Sequence, residues 1–227
     1  MSRGRGRMNG DDNDRSTAVL RLPTDMASAE QVDAFREVRT RLLAMASSLG
    51  LSHFTTLVVS ATPDAGASFV ARSLAATFTL QDQRIAILVD CNLRHPTQHL
   101  AFGLNSDEVG LFDFFEQPHA AIEGLVRPTS IGGLHLIPAG RIPSTPREYF
   151  SSPPMQAAMA ALRQIPCFVF LDGPPTKGSP DARILSEYAD FVILVAGYGT
   201  DTSAGIAEAA ALFNPAKFAG VVFNEHT

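Results

Sequence analysis

Six short apolar runs alternate with segments of helical periodicity along the chain. The runs lie at residues 57–60, 85–89, 134–137, 167–171, 191–195 and 220–223. Each is apolar almost throughout, which is typical of a strand buried on both faces. Helices are predicted near residues 28–49, 68–81, 97–103, 107–116, 146–164, 180–188 and 203–213. This alternation predicts an α/β fold of three layers, with helices on both faces of a mostly parallel central sheet.

Length and composition fit one folded domain behind a short leader. The chain has 227 residues, of which 45% are hydrophobic and 18% charged, so a full-sized apolar core is feasible. The first 25 residues hold few apolar side chains, and Arg3, Arg5 and Arg7 are followed there by three aspartates. We predict a flexible N-terminal tail over 1–25 and a single domain over 26–227.

Charge and hydropathy disfavour several classes of function. The net charge of −5 argues against a nucleic-acid-binding protein. Two cysteines are too few for a disulfide scaffold and suit a reducing compartment. No apolar run approaches the roughly 18 residues of a spanning helix, and the N-terminus lacks the apolar core of a signal peptide. We therefore predict a soluble, cytoplasmic protein without direct membrane insertion, which reaches a membrane only through a partner.

Residues 55–68 have the layout of a phosphate-binding loop. An apolar strand ends at Ser60, a short loop follows, and a helix is predicted to begin at Ser68. Backbone N–H groups at such a helix start can hold an anion, so Gly66, Ala67 and Ser68 are candidate phosphate-binding residues. The P-loop pattern requires a lysine directly before the serine, and that position is Ala67. Both lysines of the chain lie far outside this stretch, so the loop keeps its frame but lacks its cation.

Polar residues close three other predicted strands. Asp90, Asp172 and Asn224 each follow an apolar run directly. In an open parallel sheet the carboxyl ends of the strands meet at one edge, where ligands bind. Asp90 and Asp172 are therefore candidate Mg²⁺ ligands, and Asn224 is a candidate nucleotide-binding residue. Each aspartate alone is equally well explained as a helix cap or a turn residue.

Two longer motifs surround these aspartates. They are Leu-Val-Asp-Cys-Asn-Leu-Arg-His-Pro at 88–96 and Phe-Leu-Asp-Gly-Pro-Pro at 170–175. With the loop at 61–69, they resemble the motifs of the bacterial tyrosine kinases of capsule and exopolysaccharide synthesis, within the ParA/MinD-like P-loop ATPases. The resemblance runs from about residue 34 to 224. It implies that the loop is a Walker A motif, that 88–96, with Asn92 and Arg94, is Walker A′, and that 170–175 is Walker B.

The predicted leading helix carries a charge pattern with two explanations. Asp33, Arg36 and Arg39 follow one another at intervals of three residues. The resemblance implies a subunit-packing motif, E-x-x-R-x-x-R in the family, and hence a homo-oligomer. The alternative is an ordinary solvated charge pattern within one helix, which would contribute only a few tenths of a kcal/mol.

The chain departs from the family pattern where the chemistry would occur. Ala67 removes the phosphate-binding lysine, Asp64 places a carboxylate where the family has glycine, and Asn92 replaces the second acidic residue of Walker A′. The three tyrosines lie in predicted folded segments and do not form a C-terminal cluster like that of the family. Lys177 could substitute for the lost cation, although an exposed lysine is the default interpretation. Arg72 is expected to face away from the loop.

These departures favour an impaired catalyst over a working one. The first hypothesis is a pseudokinase that uses no nucleotide cofactor. It would be the cytosolic regulatory partner of a membrane polysaccharide co-polymerase, binding that protein's cytosolic segment in exopolysaccharide or capsule export; this partner comes from the resemblance alone. The second is an active but atypical Mg-ATP-dependent ATPase or tyrosine autokinase of the same pathway, using Ser68, Asp90 and Asp172. The third is a ParA/MinD-like spatial regulator, against which the stretch around Arg94 argues.

Overall fold

The computed structural model describes residues 29–224 except 81–83, 106, 117–120, 142–147 and 179. The tail predicted over 1–25 lies outside these residues. The helices are α1 (Ala29–Ser48), α2 (Ala67–Phe78), α3 (Gln98–Ala101), α4 (Leu111–Glu116), α5 (Pro153–Leu162), α6 (Asp181–Ser186) and α7 (Ser203–Ala210). The strands are β1 (Thr55–Ser60), β2 (Ala86–Asp90), β3 (Arg127–Pro128), β4 (Leu134–Ile137), β5 (Phe168–Asp172), β6 (Phe191–Gly197) and β7 (Phe218–Asn224). Within this part of the chain, no helix is both long and apolar enough to cross a membrane.

The seven strands of the described residues form one sheet, in the order β3-β4-β2-β5-β1-β6-β7. Neighbouring strands are parallel except β3, which pairs antiparallel with β4 at the edge. The predicted mostly parallel α/β sheet is therefore confirmed. β3 was not predicted, because a strand of two residues has no periodicity to detect. Since β1 lies between β5 and β6, its carboxyl end opens well inside the sheet, and the loop that follows has neighbours on both sides.

Each face of the sheet is covered by its own apolar core. Side chains of α1 and α2 cover one face, and side chains of α4, α5, α6 and α7 cover the other. Neighbouring residues of β1 divide between the two cores, with Leu57 and Val59 in one and Val58 in the other. Phe78, at the end of α2, packs against Phe168 with ring centroids 4.8 Å apart. Burial on both faces is what the unbroken apolar runs predicted.

Two predicted helices begin later than their sequence patterns indicated. The helix predicted near 146–164 starts at Pro153, where Ser152 accepts a hydrogen bond from the Met155 backbone N–H at 3.4 Å. Two prolines at the first helical positions fix this start, because a residue before proline is disfavoured in helical geometry. The helix predicted near 107–116 starts at Leu111. A Cβ on the preceding Gly110 would overlap the backbone of residues 138–140, so this glycine permits a close approach of two loops.

The charged residues Asp33, Arg36 and Arg39 of α1 make two different kinds of contact. Arg36 pairs with Asp33 at 3.0 Å on the exposed side of the helix. Arg39 is half-buried, and its guanidinium donates a hydrogen bond to the backbone carbonyl of Thr77 in the last turn of α2. Burial, followed by the charges of Arg84 and Arg36, lowers the pKa of Arg39. The intrahelical explanation therefore describes Asp33 and Arg36, whereas Arg39 joins two helices of one subunit; self-association through α1 stays a prediction.

Arg39→Ala is expected to lower the free energy of unfolding by about 1–2 kcal/mol, because it removes a charged donor from the C-terminal end of α2. Arg36→Ala is the matched control; it removes an exposed pair and should change the free energy by less than about 0.5 kcal/mol. Urea denaturation measures both changes, and light scattering on the same samples tests self-association. An oligomer that dissociates in Arg36→Ala would show that the exposed pair is a subunit contact.

Candidate functional site

The loop that follows β1 turns sharply before α2 begins at Ala67. Gly66 precedes the helix with φ of 89°, and Asp64 has φ of 63°. Among the described residues, Asp64 is the only non-glycine residue with positive φ. This left-handed conformation costs an ordinary L-residue roughly 1–2 kcal/mol, although aspartate tolerates it better than most residues. The loop thus keeps the backbone path of a phosphate-binding loop with a carboxylate at a position that favours glycine.

Side chains from neighbouring loops hold this loop in place. Thr62 donates its hydroxyl hydrogen to Asp201 at 2.7 Å, and Asp201 also accepts from the Gly197 backbone N–H at 2.8 Å. The Thr176 hydroxyl donates to the Ala61 carbonyl at 3.0 Å. Sequence reasoning missed these supporting residues. Thr176 directly follows the Pro-Pro of the predicted Walker B motif and could have been found there, whereas nothing in the sequence pattern pointed to Asp201.

Asn224 lies against the loop from the end of β7. Its side-chain amide donates to the Ala65 carbonyl at 3.2 Å. A Cβ on Gly66 would overlap the same amide, so glycine is required there for space as well as for its positive φ. The structure therefore places Asn224 beside the predicted phosphate-binding residues. Its side-chain amide is hydrogen-bonded to the backbone of the loop.

Asp90 and Asp172 lie side by side, as predicted. They are in register at the ends of the neighbouring strands β2 and β5, and both are fully buried. Ser68, in the first turn of α2, donates its hydroxyl hydrogen to Asp172 Oδ1 at 3.1 Å. The backbone N–H of Asn92 donates to Asp90 Oδ1 at 3.2 Å. Three candidate metal ligands thus meet at the carboxyl edge of the sheet.

Gln98, which sequence reasoning missed, links these groups. Its backbone N–H donates to Asp90 Oδ2 at 3.1 Å. Its side-chain amide donates to Asp172 Oδ2 at 2.7 Å and to the Ser68 carbonyl at 2.9 Å. Gln98 is fully buried at the start of α3. In the sequence it follows the predicted Walker A′ motif closely, but a glutamine at a helix start carries no pattern that predicts such a bridge.

Burial raises the pKa of both carboxyl groups. For Asp90 the second cause is the charge of Asp172, and the pKa lies well above its ordinary value despite hydrogen bonds from backbone N–H groups. The pKa of Asp172 rises to about 6, against the opposing effects of hydrogen bonds from Gln98 and Ser68 and of the charge of Arg72. That Arg72 faces away from the loop stays a prediction, although its charge acts on Asp172. Its guanidinium lies over the Phe69 ring, 5.2 Å from the ring centroid.

A cavity of about 230 Å³ opens beside the loop and the start of α2. It is lined by Ser60, Pro63, Asp64, Gly66, Ala67, Ser68, Asn92, His95, Thr97 and Pro175. Within the described part of the chain, no lysine or arginine is among these residues. Lys177 is exposed and lies outside the lining. Arg94 is exposed as well, and its guanidinium lies 3.7 Å from an Asp181 carboxylate oxygen. The buried Oδ1 atom of Asn92 has no hydrogen-bond partner among the described residues.

The residues present do not fit a magnesium–triphosphate complex. The helix start and loop N–H groups could receive an anion, but Ala67 supplies no counter-charge and the Asp64 carboxylate lines the same cavity. On the metal side, Ser68, Asp90 and Asp172 supply the right oxygen atoms, yet protein donors already engage the carboxylates. No cluster of three or more metal-binding side chains of the His, Cys, Asp or Glu type occurs among the described residues.

A parallel sheet with this loop after β1 and aspartates ending β2 and β5 defines a P-loop NTPase fold of the ParA/MinD-like class. The septum site-determining protein MinD of Pyrococcus horikoshii, solved with Mg-ADP, has this fold. Its TM-score with the chain is 0.60 at 17% identity, covering 75% of this chain and 68% of that one. At this identity the likeness concerns the fold alone.

Within that class, homologues of the chain are bacterial tyrosine-protein kinases, so the resemblance found in the motifs is confirmed. The kinase Wzc of Salmonella typhimurium is 29% identical over 205 residues, which are 89% of this chain and 27% of the relative. The kinase Etk of Escherichia coli K12 is 27% identical over 190 residues, 83% of this chain and 25% of the relative. The BceF tyrosine kinase domain gives a TM-score of 0.73 at 26% identity, covering 86% of this chain and 77% of that domain.

The chain spans about a quarter of the length of these two curated relatives, 27% of one and 25% of the other. No protein-family model matches the chain. Homology therefore extends to the kinase-domain part of the relatives, and the activity and partners of the whole relatives are separate questions.

Proposed function

We propose that this protein is a pseudokinase of the bacterial tyrosine-kinase type, a cytoplasmic docking partner instead of a catalyst. The observation that carries the proposal is Ala67, which lies at the start of α2 where the P-loop pattern has its lysine. The cavity beside it is lined by the Asp64 carboxylate and, within the described residues, by no lysine or arginine. A loop that should neutralise phosphate charge carries negative charge instead.

The lack of a lysine at Ala67 is expected to lower the affinity for ATP substantially. A charge-assisted hydrogen bond to phosphate contributes roughly 1.5–3 kcal/mol, and Ala67 forgoes that contribution. Phosphoryl transfer depends almost entirely on positioning and charge neutralisation, so turnover should suffer more than binding. Asn92 weakens the case for catalysis further, because a neutral amide is a poor base. The proposal therefore includes no nucleotide cofactor.

The retained shape of the loop supports a binding role. The hydrogen bonds from Thr62, Thr176 and Asn224 tie the loop to the neighbouring loops and to the end of β7. Such a preformed surface costs little entropy when a partner binds. The partner we propose is the cytosolic segment of a membrane polysaccharide co-polymerase in exopolysaccharide or capsule export. The protein would then lie at the inner membrane through that partner.

Calorimetry with purified protein tests the proposal. Titration of Mg-ATP or Mg-ADP into the wild type should give no saturable heat up to millimolar nucleotide, and ATP hydrolysis should stay at the background rate. The kinase domain of Etk serves as positive control. Titration of the co-polymerase's cytosolic segment should give a saturable isotherm that is unchanged by Mg-ATP. Micromolar nucleotide binding with hydrolysis would refute the pseudokinase assignment.

A second candidate function is an active, atypical Mg-ATP-dependent ATPase or tyrosine autokinase. The observation that favours it is the meeting of Ser68, Asp90 and Asp172, the residues on which metal binding would depend. It would need a cation from elsewhere; Lys177 is one candidate, and a neighbouring subunit is another. Hydrolysis by the wild type that is lost in Lys177→Ala would favour this candidate. The third reading, a ParA/MinD-like spatial regulator, has only the fold in its support.

A further inference from the structure

The side chain of Gln98 occupies the space between the two strand-end carboxylates and α2. It is fully buried, and both hydrogens of its amide are used. One goes to Asp172 Oδ2 at 2.7 Å and the other to the Ser68 carbonyl at 2.9 Å. Since the Gln98 backbone N–H also donates to Asp90 Oδ2, one residue neutralises part of the charge of both aspartates.

Only one orientation of this amide satisfies its neighbours. The Ser68 carbonyl can only accept hydrogen bonds, and Asp172 Oδ2 accepts one here. Turning the amide over would place Gln98 Oε1 against two acceptors. In the observed orientation Oε1 is buried and has no hydrogen-bond partner within the described residues. Leaving that oxygen unpaired costs free energy, so the two donated bonds must outweigh the cost.

A divalent cation would compete with Gln98 for the same oxygen atoms. Magnesium requires oxygen ligands at about 2.0–2.1 Å in near-octahedral geometry. The amide nitrogen already lies within hydrogen-bond distance of Asp172 Oδ2, and Ser68 donates to Asp172 Oδ1. Backbone N–H groups engage both oxygens of Asp90. A metal ion that ligates Asp172 Oδ2 would have to share this oxygen with the Gln98 amide, whose hydrogens carry positive partial charge and repel a cation at that distance.

We propose that Gln98 is a built-in substitute for the divalent cation, which stabilises the buried carboxylates and excludes Mg²⁺ and Mn²⁺ from them. It is thus a specificity-determining residue of the site. The inference rests on the proposed function in treating the site as one that does not load Mg-ATP. It does not depend on the lysine missing at Ala67, because it concerns the metal half of the site.

The test uses Mn²⁺ alone, without nucleotide, on the full chain. Gln98→Ala opens the space of the amide and frees Asp172 Oδ2, whereas Gln98→Met keeps the space filled with a side chain that neither donates nor binds Mn²⁺ well. Thermal unfolding is measured with rising Mn²⁺, and bound Mn²⁺ is counted by electron paramagnetic resonance. We expect the melting temperature of Gln98→Ala to rise by about 5 °C at Mn²⁺ one hundred times its dissociation constant. The wild type and Gln98→Met should show no shift.

A specific Mn²⁺ site in the wild type overturns the inference, and so does a folded Gln98→Ala variant that binds no Mn²⁺. A shift in Gln98→Met equal to that in Gln98→Ala also overturns it, since occupation of the space would then be irrelevant. If Gln98→Ala does not fold, Gln98→Ser replaces it with the same expectations. A wild type that binds ATP in the presence of a chelator, but does not bind Mn²⁺ alone, would refute the proposed function and leave the role of Gln98 intact.

Discussion

Ala67→Lys is expected to raise the affinity for ATP by about 10- to 100-fold, the equivalent of one charge-assisted hydrogen bond to phosphate. Ala67 lies at the first position of α2 and lines the cavity, so a longer side chain there can extend into open space. The loop around it is already held by the hydrogen bonds of Thr62 and Thr176. The substituted lysine would therefore meet a frame that needs no rearrangement.

Ala67→Met is the matched control, because it has a comparable length and no charge. Calorimetric titration with ATP should give a gain only for the lysine variant, and Asp64→Gly added to it should increase the affinity again by removing a like charge. If Ala67→Met gains as much as Ala67→Lys, packing and not charge controls binding. Equal, tight binding by the wild type and both variants would mean that the missing lysine is irrelevant to this site.

The fold was largely predictable because burial on both faces leaves a strong signal in the sequence. Residues 191–195, for example, are apolar throughout and form the first five residues of the fully buried strand β6. The edge strand of the sheet and the ends of the helices were less predictable. β3 has too few residues for a periodic pattern, and the start of α5 depends on Pro153 and Pro154, whose effect on the preceding residues outweighs helical periodicity.

The candidate site was predictable where it depends on strand ends. Asp90 and Asp172 meet because parallel strands in register end at the same edge of the sheet. Gln98 and Asp201 were not predictable, since their roles depend on where loops return in space.

The stability of the metal-free protein is expected to fall as the pH rises from about 4 to about 7, through the contribution of the buried carboxylates. The pKa of Asp172 in the folded protein is about 6, raised from 3.8 chiefly by burial. The folded protein therefore holds a proton that the unfolded chain releases over this interval. The contribution is fully present below the unfolded pKa and is lost as the pH rises through the folded pKa, a difference on the order of 3 kcal/mol.

Asp172→Asn removes this titration and its electrostatic effect on Asp90, so the comparison of two pH profiles reports on the buried pair and separates it from the other ionisable groups. Urea denaturation in the presence of a chelator should show the variant gaining stability relative to the wild type as the pH rises. Asp33→Asn, on the exposed side of α1, controls for the loss of a carboxylate as such and should follow the wild type. Parallel profiles for Asp172→Asn and the wild type would contradict the raised pKa. They would also mean that the buried pair reaches neutral pH without the electrostatic cost that its burial implies.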